Sequence, residues 1–307
     1  MSNPKYISFN GEVVPFDQAR VHVRTPAFRY AANVFEGLRG YWNADRQELY
    51  LFRQAEHFRR LDLSMKVMSF AERYEPAYLS SCLIDLIRAN DLREDIHIVL
   101  MAYIDGDGEM FATGPLGMTI AALPKGRTPK ADVGLDCAVS SWARMSDHAT
   151  PPRIKTIANY YNGRLGWMQA RQDGYDLPIF LTSDGKVAEA PNACLFMVRD
   201  GVPATPSVTH GILESITRAT VIELMRREPG VHVVEREIDR TELYAAEEVF
   251  LCGSGVEIVP VVSVDRRPVG DGRPGPLTRA LTETYMGVVR GEQDTYADWL
   301  TPVYGNG

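Results

Sequence analysis

The first part of the chain combines tight turns with apolar residues at strand and helix spacing. The pair Asn10-Gly11 lies in an alternating stretch and is typical of a type I′ hairpin turn. Further on, Phe58, Leu61 and Met65 recur at helical spacing and would share one face of a helix. The pattern predicts hairpins over 6–16 and 40–52, helices over 53–68 and 75–90, and strands over 96–104 and 117–123.

Residues 124–132 are rich in proline, glycine and charge, which is typical of a linker. Beyond them the pattern predicts strands over 133–142, 177–182, 186–189, 194–198, 231–236, 247–252 and 257–264, and helices over 160–173, 215–228 and 276–290. Short strands joined by tight turns favour an α+β (mixed α/β) fold with largely antiparallel pairing. We therefore expect a smaller N-terminal α/β domain over 1–124, a linker over 125–132 and a larger domain over 133–307.

Composition and charge narrow the possible classes of function. Of the 307 residues, 33 are basic and 40 are acidic, and the net charge of −7 argues against a nucleic-acid-binding surface. The chain has no apolar run of about 18 residues and no signal-peptide pattern at its start, so we expect no membrane association and a cytoplasmic location. The four cysteines and six histidines are scattered, which predicts reduced thiols and no protein-built metal site.

One lysine differs from the others in its surroundings. Lys155 follows two prolines and lies between Ile154 and Ile157, in a stiff and mostly uncharged segment that leads into a helix. A lysine amine held in apolar surroundings can act as a nucleophile towards a carbonyl group. The alternative is a surface lysine whose stem covers apolar residues, and the segment alone leaves both interpretations open.

Three further segments contain candidate groups for binding a charged ligand. The helix over 215–228 opens with Ser215-Ile216-Thr217, where unpaired N–H groups favour an anion, although an ordinary N-cap is the alternative. A serine between two glycines, Gly253-Ser254-Gly255, follows a strand and could approach an anion closely. Glu189 lies in an apolar setting, so it needs a cationic partner unless it is a surface residue.

Taken together, these segments resemble the class IV aminotransferases, and the resemblance covers essentially the whole chain. It is strongest in VFEGLRGY (34–41), EHFRRLDLS (56–64), the span 140–160, DGKVAEA (184–190), SITRATVIEL (215–224) and EVFLCGSGVEIVPVVSVD (248–265). The chain is most similar to the branched-chain amino acid aminotransferases, whose N-terminal motif resembles FEGLR here. The resemblance implies a fold type IV enzyme whose larger C-terminal domain has an antiparallel-rich, barrel-like sheet, with the cofactor pyridoxal 5′-phosphate (PLP) bound between the domains.

The resemblance also assigns roles to individual residues. Lys155 would bind PLP covalently and, once released, move the proton of the substrate Cα. Glu189 would face the ring nitrogen of PLP and keep it protonated, and Tyr160 would bond its phenolate oxygen. The groups implied for the phosphate are the side chain of Arg60, the backbone N–H groups of Ile216 and Thr217, and the hydroxyl of Ser254. The residues implied for the substrate are Tyr30, Phe35, Gly37, Arg39, His97 and Gly255, and Val34 is expected to add apolar surface.

Several positions depart from the family pattern. Ser215 replaces a glycine in the phosphate loop, and Ala190-Pro191-Asn192 replaces a glycine-rich stretch. His97 stands where the family has an arginine, and Lys125 stands where an aromatic residue usually follows Pro124. The cofactor residues therefore match the family better than the substrate residues do.

These features predict an aminotransferase of amino-acid metabolism that forms a homodimer or a higher homo-oligomer. It would move an amino group from hydrophobic, branched-chain L-amino acids to a 2-oxo acid such as 2-oxoglutarate by a ping-pong mechanism. Because of the substrate-side departures, we expect a broader profile and weaker use of 2-oxoglutarate. Alternatives on the same fold are a D-amino acid or (R)-amine transaminase and an aminodeoxychorismate lyase. A PLP-free binding protein is an alternative of a different class.

Overall fold

The computed structural model describes residues 3–228 and 231–305. Its strands are β1 Tyr6–Phe9, β2 Glu12–Pro15, β3 Asn33–Asn43, β4 Glu48–Phe52, β5 Ile96–Ile104, β6 Leu116–Pro124, β7 Leu135–Ala143, β8 Leu177–Leu181, β9 Glu189–Ala190, β10 Ala193–Arg199, β11 Val202–Thr205, β12 Val234–Glu235, β13 Glu248–Gly253, β14 Glu257–Val264, β15 Arg267–Pro268 and β16 Leu300–Pro302. Its α-helices are α1 Pro26–Tyr30, α2 Gln54–Val67, α3 Pro76–Ala89, α4 Ile157–Gln172, α5 Ile216–Arg227, α6 Glu242–Ala245 and α7 Pro276–Val289. Short 3₁₀ helices cover Phe16–Gln18 and Asp294–Trp299.

The chain divides into two compact units. The first unit contains Met1–Gly126, Ile154–Ala158 and Gly287–Gly307, and the second contains Arg127–Arg153 and Asn159–Met286. The predicted domain boundaries stay a prediction, and these units differ from them in two segments. Ile154–Ala158 belongs to the first unit because Ile154 is part of its hydrophobic core, and the C-terminal segment belongs there because β16 pairs with β4.

The first unit is built on a seven-stranded sheet in which every pairing is antiparallel, in the order β16-β4-β3-β5-β6-β1-β2. Side chains alternate between the two faces of a strand. On β3, Val34 and Leu38 point into a core that they share with Leu61 of α2 and Leu83 of α3. The residues that alternate with them on β3, namely Phe35, Gly37 and Arg39, point to the opposite face. We call that opposite face of the first sheet the outer face.

The second unit is built on a nine-stranded mixed sheet. Its main path is β12-β11-β10-β13-β14-β7-β8, with β15 paired to β14 and β9 paired to β10. The central pairings are antiparallel, whereas β11–β12, β14–β7 and β7–β8 are parallel. Leu195, Leu251 and Val259 from three neighbouring strands form part of its core. The predicted α+β class is confirmed by these two sheets.

Most predicted elements are confirmed, but three differ. The strand of the second predicted hairpin begins at Asn33 rather than near 40. The strand predicted over 186–189 is wrong in extent, because only Glu189 of that range lies in β9. The strand predicted over 231–236 shrinks to Val234–Glu235, which make a short parallel pairing with β11. Elements that the periodicity did not indicate are short, namely α1, α6, β11, β15 and β16.

Among residues 3–228 and 231–305, no helix combines the length and the apolar character that crossing a membrane requires.

Candidate active site

The backbone around Lys155 is fixed against the first sheet. The N–H of Phe35 donates to the carbonyl of Lys155 at 2.8 Å, and the N–H of Lys155 donates to Ser64 Oγ at 3.3 Å. Ile154 is only 3% exposed and packs in the core of the same unit. The Lys155 amine lies 4.7 Å from the centroid of the Phe35 ring, so it is presented over the outer face of the sheet.

Next to this amine, the outer face has a half-buried histidine, His97. A Cβ atom added at Gly37 would lie 3.3 Å from His97 Nε2, so the imidazole ring lies over Gly37. Burial is the largest cause that lowers the pKa of His97, to about 4, and the charges of Lys125, Arg39 and Lys155 add to it. His97 is therefore neutral near pH 7.

The remaining first-unit residues expected at the substrate have different environments. Arg39 is 2% exposed, donates from Nη1 to the carbonyl of Gly126 at 3.4 Å and lies 5.2 Å from the ring of Tyr41. Tyr30 is half-buried at the end of α1, where its hydroxyl accepts from Arg29 Nη2. The expectation for Val34 is wrong, because Val34 is fully buried on the face opposite to Phe35.

A buried cluster joins β3 to α2. Arg60 donates from Nε and Nη2 to the two carboxylate oxygens of Glu36, both at 2.7 Å, and His57 Nδ1 lies 2.7 Å from Glu36 Oε2. Glu36 is 0% exposed, whereas Arg59 is exposed. Burial opposes ionisation of Glu36, but Arg60 and His57 outweigh it and lower the pKa to about 2. Burial lowers the pKa of His57, so a neutral His57 donates its Nδ1–H to the carboxylate.

Glu36 and His57 were not singled out by the sequence reasoning. The sequence did contain evidence that these residues lie together, because His57 and Arg60 are three residues apart on α2 and so share a face of the helix. Alternation along β3 also puts Glu36 on the same face as Val34 and Leu38, which is the core side.

In the second unit, Glu189 is buried and has the cationic partner that its setting required. Arg144 Nη2 donates to Glu189 Oε1 at 2.5 Å, and the N–H of Leu213 is 3.2 Å from both carboxylate oxygens. The thiol of Cys194 donates to Glu189 Oε2 at 3.5 Å, and burial raises the pKa of this thiol well above its ordinary value. Glu189 is 3% exposed, so the surface alternative is wrong.

Arg144 is itself held by neutral acceptors. Its Nε donates to the carbonyl of Gly211 at 3.1 Å, and its Nη1 donates to Asn162 Oδ1 at 3.4 Å. Asn162 lies on α4, two residues after the half-buried Tyr160. Arg144 lies in the span 140–160 that resembles the family, but the sequence assigned it no role, because its carboxylate partner is 45 residues further along the chain.

The start of α5 brings the hydroxyl groups of two predicted site residues, Thr217 and Ser254, together. Ser215 is the N-cap of this helix, since its Oγ accepts from the N–H of Arg218 at 3.2 Å. Ile216 and Thr217 follow in the first turn, where backbone N–H groups point out of the helix. Thr217 Oγ1 and Ser254 Oγ are 3.4 Å apart. The N-cap interpretation of Ser215 is therefore correct, and the same helix end offers donors to an anion.

The thirteen residues expected at the site thus divide between the two units. The first unit contains Tyr30, Phe35, Gly37, Arg39, Arg60, His97 and Lys155. The second unit contains Tyr160, Glu189, Ile216, Thr217, Ser254 and Gly255.

Comparison with known proteins identifies the family. The family model described as amino-transferase class IV matches residues 33–264. This chain belongs to the class IV aminotransferases. The expected resemblance is therefore confirmed, and among curated members the chain is 38% identical over 301 residues to a probable branched-chain-amino-acid aminotransferase of Aquifex aeolicus, covering 96% of both chains. It is also 38% identical over 305 residues to the branched-chain-amino-acid aminotransferase of Salmonella typhimurium, covering 97% of both.

Solved structures of class IV members share this fold. The branched-chain amino acid aminotransferase of Thermobaculum terrenum in its PLP form matches with a TM-score of 0.92 and 43% identity, covering 99% of both chains. A second branched-chain aminotransferase, from T.th., complexed with N-(5′-phosphopyridoxyl)-L-glutamate, matches with a TM-score of 0.92 and 33% identity, covering 98% of this chain and 99% of that one. This second enzyme is also known in complex with 4-methylvaleric acid.

Proposed function

We propose that this chain is a PLP-dependent branched-chain amino acid transaminase. It takes the amino group of hydrophobic L-amino acids and transfers it to a 2-oxo acid such as 2-oxoglutarate in a ping-pong cycle. The observation that carries the proposal is the Lys155 amine 4.7 Å from the Phe35 ring, in a chain that matches branched-chain aminotransferases over nearly its full length. Related enzymes bind PLP, a glutamate adduct of the cofactor and a branched aliphatic acid, which supports the same substrate classes here.

The donor groups present fit PLP. A helix N-terminus with two neighbouring hydroxyl groups suits a phosphate dianion, and a buried carboxylate suits a protonated ring nitrogen. In this proposal, the residues that hold the cofactor are Arg60, Lys155, Tyr160, Glu189, Ile216, Thr217 and Ser254. When bound, PLP withdraws electrons from the substrate Cα, which makes the Cα proton removable. The Lys155 amine would accept that proton from the substrate Cα and deliver it to carbon C4′ of the cofactor.

Glu189 has a proton-holding role in this proposal. Its carboxylate is oriented by Arg144 and by the N–H of Leu213, and a carboxylate held in this way can accept a hydrogen bond from a cationic N–H at the cofactor ring. The cofactor requires that cation to accept electrons. Arg144 is therefore a positioning residue, because it acts through Glu189.

On the substrate side, we assign Tyr30, Phe35, Gly37, Arg39, His97 and Gly255 to binding. Phe35 supplies an aromatic wall for an aliphatic side chain next to the reactive amine. Arg39 is too deeply buried for wide contact, so it acts by holding the carbonyl of Gly126.

We further propose that the enzyme is a cytoplasmic homodimer or higher homo-oligomer. The first unit exposes an apolar group of side chains, with Phe111 85%, Phe28 74%, Met110 71% and Val23 64% exposed, as expected at an interface between copies. The four cysteines are free thiols, which fits a reducing compartment. Analytical ultracentrifugation tests this point, and a monomer at micromolar concentration would contradict it.

A panel of amino donors tests the function. The purified enzyme loaded with PLP is incubated with L-leucine, L-valine, D-alanine or (R)-1-phenylethylamine, each with 2-oxoglutarate and with pyruvate. We expect turnover of the two L-amino acids. Turnover of D-alanine or (R)-1-phenylethylamine without that of L-leucine and L-valine would assign the chain to the D-amino acid or (R)-amine transaminases instead. A preparation without a visible absorption band after PLP loading would favour a PLP-free binding protein.

The lysine assignment has its own test. Lys155→Ala should abolish the visible band of bound PLP and nearly all turnover. Lys186→Ala is the matched control, because Lys186 forms an ion pair with Asp239 at 2.8 Å near the surface. Borohydride reduction followed by peptide mapping should label Lys155, and a label on another lysine would refute the assignment.

A further inference from the structure

The second unit contains a cavity that is lined by residues of α7, of β14 and of the segment 127–132. Its volume is about 360 Å³, which falls within the range of small-molecule sites in proteins, about 300–1,000 Å³. All the residues that line it belong to the second unit. The thirteen residues expected to bind PLP and the substrate lie outside its lining. The cavity is therefore a candidate site that is separate from the proposed active site.

One face of α7 contributes two opposite charges to this cavity. Arg279, Thr282, Glu283 and Met286 are spaced three or four residues apart, so they share a face of the helix. Within residues 3–228 and 231–305, no hydrogen bond or ion pair joins Arg279 to Glu283. An arginine that precedes a glutamate by four residues is the less favourable order for a helical ion pair. Both charges therefore face the cavity without neutralising each other directly.

The segment 127–132 contributes a second pair of charges. Arg127 Nη1 donates to Asp132 Oδ1 at 3.2 Å, and Arg127 Nε lies 3.8 Å from Glu257 Oε2. Glu257 is 2% exposed, so it holds the guanidinium from the protein side. A guanidinium has five N–H donors, so these contacts leave donors of Arg127 for a ligand. With two arginines and two carboxylates in its lining, the cavity is charge-balanced.

Apolar side chains complete the lining. Pro260 of β14, Pro274 before α7 and Met286 near the end of α7 contribute apolar surface. A methionine side chain is unbranched and flexible, so it adapts to aliphatic groups of different shape. A dianion would meet the two carboxylates, and a simple cation would meet the two arginines. The lining is therefore complementary to a ligand with one positive charge, one negative charge and an apolar side chain.

We propose that this cavity binds a hydrophobic α-amino acid in its zwitterionic form. Arg279 donates to the ligand carboxylate, Glu283 accepts from its ammonium group, and the side chain packs against Pro260 and Met286. In an α-amino acid both charged groups are bonded to Cα and lie about 2.5 Å apart. Charge-assisted hydrogen bonds of about 2.8 Å at each end extend the span to at most about 8 Å. Side chains one helical turn apart, whose Cβ atoms are separated by about 5–6 Å, can meet both ends.

The test uses the PLP-loaded enzyme after borohydride reduction, so that L-leucine cannot react with the cofactor. Calorimetry compares L-leucine with 4-methylvalerate, which lacks the ammonium group, and with 3-methylbutylamine, which lacks the carboxylate. Losing a hydrogen bond to a charged group corresponds to about a 10-fold to 100-fold effect. We expect each analogue to bind more weakly than L-leucine by about that factor. Arg279→Met and Glu283→Gln should each weaken L-leucine binding by the same factor, and both side chains are exposed, so these variants should fold.

The control variant is Arg273→Met, because Arg273 is exposed three residues before α7 and lies outside the cavity lining. It should leave L-leucine binding within about twofold. Irradiation with a diazirine analogue of L-leucine, followed by peptide mapping, should label peptides that contain 127–132 or 276–286, and Glu283→Gln should reduce that label.

Three results would overturn the proposal. They are L-leucine binding that is unchanged in both α7 variants, 4-methylvalerate binding as tight as that of L-leucine, and a label confined to other peptides. The site does not depend on the transaminase function. A chain that neither holds PLP nor transaminates would overturn the proposed function, and the same titration of the untreated protein would still test the cavity.

Discussion

Each unit contains a buried glutamate paired with an arginine, but the two pairs are built differently. Glu36 accepts two hydrogen bonds from Arg60 and one from a ring nitrogen of His57, all at 2.7 Å, and its side chain is fully buried. Glu189 receives one N–H of Arg144 at 2.5 Å, and its other donors are more distant, at 3.2 Å for the Leu213 N–H and 3.5 Å for the Cys194 thiol.

In the proposed function, this difference separates a positioning group, Glu36, from a group that would contact the cofactor, Glu189. A carboxylate has about four lone-pair directions, and strong side-chain donors already meet both oxygens of Glu36. Glu189 has one strong donor and two weak ones, so its second oxygen can still accept a strong N–H. Glu36 therefore acts by orienting Arg60, whereas Glu189 is suited to hold a proton on a bound ligand.

The largest effect is expected at Glu189. Glu189→Gln should reduce the rate of the first half-reaction by about 10²–10³, because a neutral amide cannot stabilise a cationic ring nitrogen. This variant should still fold, since Arg144 can still donate hydrogen bonds to Gly211 and Asn162. Single-turnover measurements with L-leucine, together with PLP binding by absorbance, check this. A variant with near-normal turnover would contradict the role of Glu189.

The second-largest effect is expected at Glu36, in the free energy of unfolding. The pKa of Glu36 falls from 4.5 to about 2 on folding, which corresponds to about 3 kcal/mol. Because the folded-state pKa is the lower one, this stabilisation is complete above pH 4.5 and disappears as the pH falls towards 2. Burial also lowers the pKa of His57, so its protonation adds to the loss in acid. Glu36→Gln should therefore lower the free energy of unfolding at pH 7 by about 3 kcal/mol.

Urea unfolding of the apoprotein between pH 2 and pH 7 measures that effect and its loss in acid. The control is Glu56→Gln, because Glu56 forms a more exposed pair with Arg53 on the same helix and should contribute less than about 1 kcal/mol. An equal decrease in the free energy of unfolding of the two variants would mean that the cluster of Glu36, His57 and Arg60 stabilises the protein no more than a surface ion pair does.

The sequence predicted one member of each glutamate–arginine pair. Helical spacing of Phe58, Leu61 and Met65 defined the register of α2, and the resemblance selected Arg60 and Glu189. Their partners were missed because Glu36 and Arg144 are 24 and 45 residues away, and strand or helix periodicity carries no information about such distant contacts. Short elements such as α1 and β11 were missed for another reason, since four or five residues are too few to show a period.

The third prediction uses two adjacent arginines. Arg60→Ala should weaken PLP binding by about 10-fold to 100-fold, which is the value of a charge-assisted hydrogen bond to phosphate. Arg59→Ala should change it by less than about twofold, because Arg59 is exposed on the other side of α2. Equilibrium dialysis of PLP gives both constants. A comparable loss of PLP affinity in the two variants would show that Arg60 affects binding through the stability of α2 and not through contact with the cofactor.

The smallest effect is expected at Cys194, the weakest donor to Glu189. Its thiol stays protonated because burial raises its pKa well above the ordinary value, but the 3.5 Å contact is long. Cys194→Ala should lower the single-turnover rate by less than about fivefold, equivalent to about 1 kcal/mol, and Cys194→Ser should restore it. Cys252 is directly opposite on β13 and is fully buried, so Cys252→Ala controls for lost packing. A loss near that of Glu189→Gln would make the thiol, and not Arg144, the main group that orients this carboxylate.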